Sequence, residues 1–126
     1  MLNNFDVIHS YTTQEAVADG YLVDLTLCFP AEVYECGIQI PLYCTRSVYE
    51  KYIKLTKKAK EACNDEKGRA WDVLFMSRSA LKAAFKTGNS YLFKFYCVVT
   101  RIRPTLCTCK VIFDGASFTI LEVDED

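Results

Sequence analysis

Histidine and tryptophan each occur once, proline three times and glycine five times in 126 residues. So little proline and glycine excludes a collagen-like chain or a flexible linker, and no low-complexity block or internal repeat divides the sequence. No apolar run approaches the ~18 residues of a membrane span. No basic-then-apolar leader opens the chain, so the expected location is the cytoplasm, away from membranes. A lone His9 and the absence of any CxxC pair leave a standard zinc site poorly supported, and no metal or cofactor is expected.

Cysteine is the exception to this sparseness. The seven thiols (Cys28, Cys36, Cys44, Cys63, Cys97, Cys107 and Cys109) are an odd number, so they cannot all pair within the chain. Without a leader they read as reduced thiols, most of them packed as small hydrophobes. A nucleophilic pair of His9 with a cysteine lacks any orienting motif.

Basic residues are missing from both ends. Residues 1–45 carry six acids and no base, and residues 111–126 carry five acids and no base. All fifteen bases fall in residues 46–110 beside five acids, a net charge of +10. The overall charge of −1 is therefore a cancellation between blocks. Either folding brings the blocks together at little energetic gain, or it displays them as separate surfaces that steer different partners.

Periodicity supplies the elements. Thr12-Thr13-Gln14-Glu15 is a capping box for a short helix that Asp19-Gly20 ends. Tyr21, Val23 and Leu25 alternate with Leu22, Asp24 and Thr26, as in a short strand or extended linker. Pro30 and Gly37 bracket a small helix near 29–36, and Ile38 to Pro41 is extended. Ser47-Val48-Tyr49-Glu50, a second capping box, opens a helix to about Cys63. Its stripe of Val48, Tyr52, Leu55, Ala59 and Ala62 faces inward, and Lys51, Lys54, Lys57 and Lys58 face outward.

A second long helix spans about Arg69 to Lys86 and stops at Gly88. Its apolar arc (Val73, Leu74, Met76, Ala80, Leu81, Ala83, Ala84, Phe85) is wide enough for a central position. The narrow polar arc holds Asp72, Ser79, Lys82 and Lys86 with Phe75 in their midst, and Trp71 and Arg78 lie at its border. Phe75 is therefore either covered by a neighbouring element or a contact for a partner.

Beyond Tyr91 the alternation is that of antiparallel strands. Asp114-Gly115 predicts a two-residue turn. That turn pairs Phe113 with Ala116, Val111 with Phe118 and Cys109 with Ile120 on a core face, with Lys110 opposite Thr119 and Thr108 opposite Leu121 on the wetter one. These patterns predict an α+β fold in a single domain over 1–126: short N-terminal helices, and two longer helices packed on a C-terminal three-stranded antiparallel meander.

Ile8-His9-Ser10-Tyr11-Thr12, Glu15-Ala16-Val17-Ala18-Asp19-Gly20-Tyr21-Leu22-Val23-Asp24-Leu25-Thr26, Glu35-Cys36-Gly37-Ile38, Ile40-Pro41-Leu42 and Gly68-Arg69-Ala70-Trp71-Asp72-Val73-Leu74-Phe75-Met76 follow one another in this order. Together they resemble a family of small uncharacterised proteins, a domain of unknown function carried by phages, plasmids and conjugative elements. The resemblance covers most of the chain and brings no catalytic residue with it. It implies a mobile-element accessory gene, for which interference with host defence is a fitting task. The cysteine richness and the lysine-rich helix are this chain's own and set any shared surface in doubt.

Three functions compete. The first is a non-enzymatic protein that binds and inhibits a host macromolecule, such as a nucleic-acid-handling or defence complex, in the manner of an anti-CRISPR inhibitor. Its contacts would come from Phe75, Lys82 and Lys86, or from Glu122, Asp124, Glu125 and Asp126 imitating DNA phosphates. The second is direct nucleic-acid binding by the 46–110 region through Lys51, Lys54, Lys57, Lys58, Arg101 and Arg103, with Tyr91 or Tyr96 to stack on bases. The third is an enzyme built from His9, Tyr11, Asp24, Asp72 or a cysteine, none of which sits in a defensible motif.

Overall fold

The computed structural model describes residues 13–54, 66–97 and 104–125. Helix α1 (Thr13–Ala18) ends where Gly20, at φ +84°, takes a left-handed conformation closed to most side chains. Strand β1 (Leu22–Asp24) runs straight into α2 (Leu25–Cys28), because the Asp24 carboxylate accepts from the Leu27 amide at 3.0 Å and caps the turn. Helix α3 (Pro30–Glu35) starts on Pro30, whose missing N–H costs nothing at a first helical position.

Strand β2 (Leu42–Thr45) and the helical segment that follows correct two expectations. The side-chain cap of α4 (Arg46–Val48) is Thr45, not Ser47: its hydroxyl accepts from the Val48 amide at 3.3 Å. The helix then widens into a π-helical turn (Tyr49–Ile53) and stops at Lys54, which is extended at ψ 134°. One continuous helix from Ser47 to Cys63 is therefore interrupted at Lys54, and the described residues contain one long helix where two were expected. Leu55, Lys57, Lys58, Ala59 and Ala62 lie outside the described residues.

The long helix is α5 (Glu66–Thr87), begun two residues before Gly68 and stopped by Gly88 at φ +77°. Its buried face holds Val73, Leu74, Ala80, Leu81 and Ala84, as the periodicity predicts, together with Arg69, Ala70 and Ser77. Ser77 is satisfied by donating to the Leu74 carbonyl at 2.8 Å. Met76 and Phe85, expected in the apolar arc, are exposed.

Strands β3 (Tyr91–Cys97), β4 (Thr105–Phe113) and β5 (Phe118–Glu122) form the expected antiparallel meander. The sheet, however, has five strands in the order β1-β2-β5-β4-β3 and is mixed, because β2 lies parallel to β5. The β4–β5 loop is longer than a two-residue turn. The Asp114 carboxylate accepts from the amides of Ala116 at 2.9 Å and Ser117 at 2.8 Å, while the Asp114 amide donates to the Ser117 carbonyl. Phe113 thus pairs with Phe118, Val111 with Ile120 and Lys110 with Leu121, two residues on from the predicted register. A shift of two keeps the strand side chains on their predicted faces, so Cys109, Val111, Phe118 and Ile120 are buried, whereas Ala116, expected on the core face, is exposed in the loop.

Helix α5 and the π-helical turn pack on this face. Tyr52 meets Phe95 edge to face at 5.1 Å, and Phe93 stacks beside Phe95 at 5.7 Å. The opposite face of β3 and β4 stays open: Leu92, Lys94, Tyr96 and Leu106 are exposed there. No helix among the described residues is long and apolar enough to cross a membrane.

Candidate functional site: the outer face of the long helix

Helical spacing brings Trp71, Phe75, Arg78, Lys82, Phe85 and Lys86 onto one arc of α5, away from the buried Val73, Ser77 and Leu81. At its centre Phe75 is 42% exposed. Trp71 stacks on one side of it with ring centroids 5.7 Å apart, and the Arg78 guanidinium lies 3.9 Å from its ring centroid. The same arginine donates through Nε to the Phe75 carbonyl at 3.2 Å, which fixes its plane over the ring. Exposed cation–π contacts contribute only about 0.5–1 kcal/mol, so the gain is mainly order. An aromatic pair is ordered beneath one guanidinium, with Lys82 and Lys86 further along the same arc.

Phe75, Lys82 and Lys86, singled out from sequence, meet on this arc, and Lys82 and Lys86 are exposed beyond the stack. Arg78 and Trp71 are the residues the sequence left at the border. Their i, i+3 and i, i+4 spacing to Phe75 was the available signal. Phe85 extends the strip by leaning on Phe113 at 5.2 Å.

The other nominated groups do not join this surface. Lys51 bonds Glu122 at 3.1 Å, and Glu122 also accepts from the Ser47 hydroxyl. The Ser47 and Lys51 donors hold the Glu122 carboxyl below its ordinary range, and the bond to Glu122 raises Lys51. Glu125 accepts from the Thr45 hydroxyl and the Glu122 amide, both at 2.8 Å. Two of the four terminal acids are thus engaged within the molecule, and Asp124 is exposed. Lys54 is exposed at the end of the π-helical turn. Lys57, Lys58, Arg101, Arg103 and Asp126 lie outside the described residues, as do His9, Tyr11 and Cys63.

Elsewhere the chemistry is structural. Burial pushes the Cys97 thiol up to about 11 and Cys109 up to about 12, and it raises Cys44 further, so these thiols stay protonated. Asp24 is spent as a cap. Asp72 is raised by burial against the opposing pull of Arg69.

A hollow of about 620 Å³ opens on the β1–β2–β5 side between Thr13, Tyr21, Arg46, Thr119 and Glu125. It is a shallow trough, and its Arg46 is committed through Nε to the Gly20 carbonyl at 2.9 Å. Among the described residues no group of three His, Cys, Asp or Glu side chains could hold a metal ion. No protein-family model, curated protein or solved structure matches this chain.

Proposed function

We propose that the chain is a non-enzymatic binding protein that docks the outer face of α5 against an acidic, apolar-centred patch of a larger host protein and occludes it. The observation that carries this reading is the ordered Trp71–Phe75–Arg78 stack beside Lys82 and Lys86. Aromatic residues and arginine are enriched in interface hot spots, where a preordered side chain loses little entropy on binding. These lysines would steer the encounter and set its salt dependence. The resemblance to mobile-element accessory proteins suggests the partner class, a defence or nucleic-acid-handling complex of the bacterial host inhibited in the anti-CRISPR manner.

The acidic terminus is the weaker candidate surface, because Glu122 and Glu125 already have partners in the fold. The test is capture from a bacterial lysate with the tagged chain and with the triple variant Arg78→Glu, Lys82→Glu, Lys86→Glu. A partner held by the parent chain and lost by the triple variant supports the reading. Recovery of nothing above background would contradict it.

A further inference from the structure

The open face of the β3–β4 hairpin has no role in that reading. Tyr96 and Leu92 are 65% and 60% exposed, although both sit inside regular strands. Across the ladder Tyr96 faces Leu106, Lys94 faces Thr108 and Leu92 faces Lys110. Because these are every second pair of the ladder and side chains alternate, the six residues share one side of the pleat. Lys94 and Lys110 are then diagonal neighbours, about 7–8 Å apart by strand geometry. The charge is of one sign, since residues 91–113 contain no Asp or Glu at all. Asp72, near the Tyr96 end, approaches from the helix side of the sheet.

We infer that this face binds single-stranded nucleic acid, with Tyr96 as the stacking platform and Lys94 and Lys110 as phosphate contacts. These six residues, with two cations, two hydroxyls and no carboxylate, complement a polyanion. The exposed phenol ring supplies what a phosphate site alone does not need, a π-face for an unstacked base. A duplex keeps its bases stacked away from such a platform, so the single strand is the ligand that uses both the exposed ring and the cations. Readout through stacking and phosphates is tolerant of sequence, and two phosphate contacts make the affinity modest.

The experiment is fluorescence anisotropy of the full chain with a labelled oligothymidine of about twelve nucleotides, from about 50 to about 200 mM salt. The expected result is binding tighter than to a duplex of equal length, with log K falling against log salt at a slope near −1.4, about −0.7 per phosphate neutralised. Tyr96→Ala should weaken binding at least about fivefold and Tyr96→Phe should retain it. Lys94→Gln and Lys110→Gln should each flatten the slope by about 0.7. Tyr34→Ala, at a phenol 83% exposed on α3, should change nothing.

Absence of binding at the lowest salt, or binding indifferent to Tyr96→Ala, would overturn the inference. So would a concentration-dependent dimer abolished by Tyr96→Ala, which would make the face a contact between copies of the chain. Lys82→Glu lies on α5 and should leave oligonucleotide binding intact, so failure of this inference and failure of the protein-docking reading are separable.

Discussion

Arg69 carries a charge into the interior with only 3% of its surface exposed, and among the described residues no carboxylate pairs with it. Its compensation comes from backbone dipoles. Nε donates to the Tyr52 carbonyl at 2.6 Å and Nη2 to the Lys51 carbonyl at 3.3 Å, both in the closing turn of the π-helical segment, where the helix dipole is negative. Nη2 also lies 2.8 Å from the Cys97 Sγ, while Nη1 is buried without a hydrogen-bond partner. One side chain thus staples α5, the π-helical turn and β3. Arg69→Met would remove the charge, leave the part-buried Lys51 carbonyl without this donor and leave the Tyr52 carbonyl with only the weak Cys97 thiol donor at 3.4 Å, at about 1–3 kcal/mol for each poorly satisfied group. We expect a loss of about 2–4 kcal/mol in urea unfolding at unchanged m. A variant as stable as the parent would show that those carbonyls need no donor.

Among the elements, the β4–β5 loop and the Glu122 cluster are the most exposed to test. Asp114→Ala removes the acceptor for two loop amides, and charge-assisted bonds of this kind contribute about 1.5–3 kcal/mol when buried and less at a loop tip. We expect a loss of about 1–2 kcal/mol that Asp114→Asn partly restores, read from chemical denaturation. Glu122 makes a prediction in pH. Its folded carboxyl is depressed by Ser47 and Lys51, so the stability it adds is complete above its unfolded pKa and is lost as pH falls through the folded one. Between neutral pH and about pH 3 the parent should therefore lose more stability than Glu122→Gln, whose side chain does not titrate. Equal losses would mean that Glu122 is not held by its neighbours. Lys51 itself is half exposed, so Lys51→Ala should cost little compared with Glu122→Ala.

At the scale of the molecule, legibility followed sequence distance. The buried face of α5, the alternation of β3 and the inward face of the β4–β5 hairpin are local periodicities, and each could be read without a structure. Phe75, Lys82 and Lys86 were likewise placed together by a helical wheel. The β2–β5 pairing was not readable. Leu42–Thr45 is four residues long, and its parallel partner lies some seventy-five residues away, with no turn chemistry to announce it. Nothing in the sequence marked Arg69 as a buried residue, because its compensation sits in another element. The charge blocks behave in both of the foreseen ways: Lys51 is drawn to Glu122, while Lys82, Lys86 and Lys94 stay displayed.

A docking surface on α5 is the central claim for the whole molecule, and proximity labelling at a defined residue tests it most directly. A photocrosslinking amino acid at Ser79, exposed at the margin of the Phe75–Lys82 strip, should give a discrete adduct with one host protein in cells expressing the chain. The adduct should vanish when Arg78→Glu and Lys82→Glu are added, and the same group at Tyr34 should give none. An adduct that survives both charge reversals, or equal labelling from Ser79 and Tyr34, would contradict the assignment of this face.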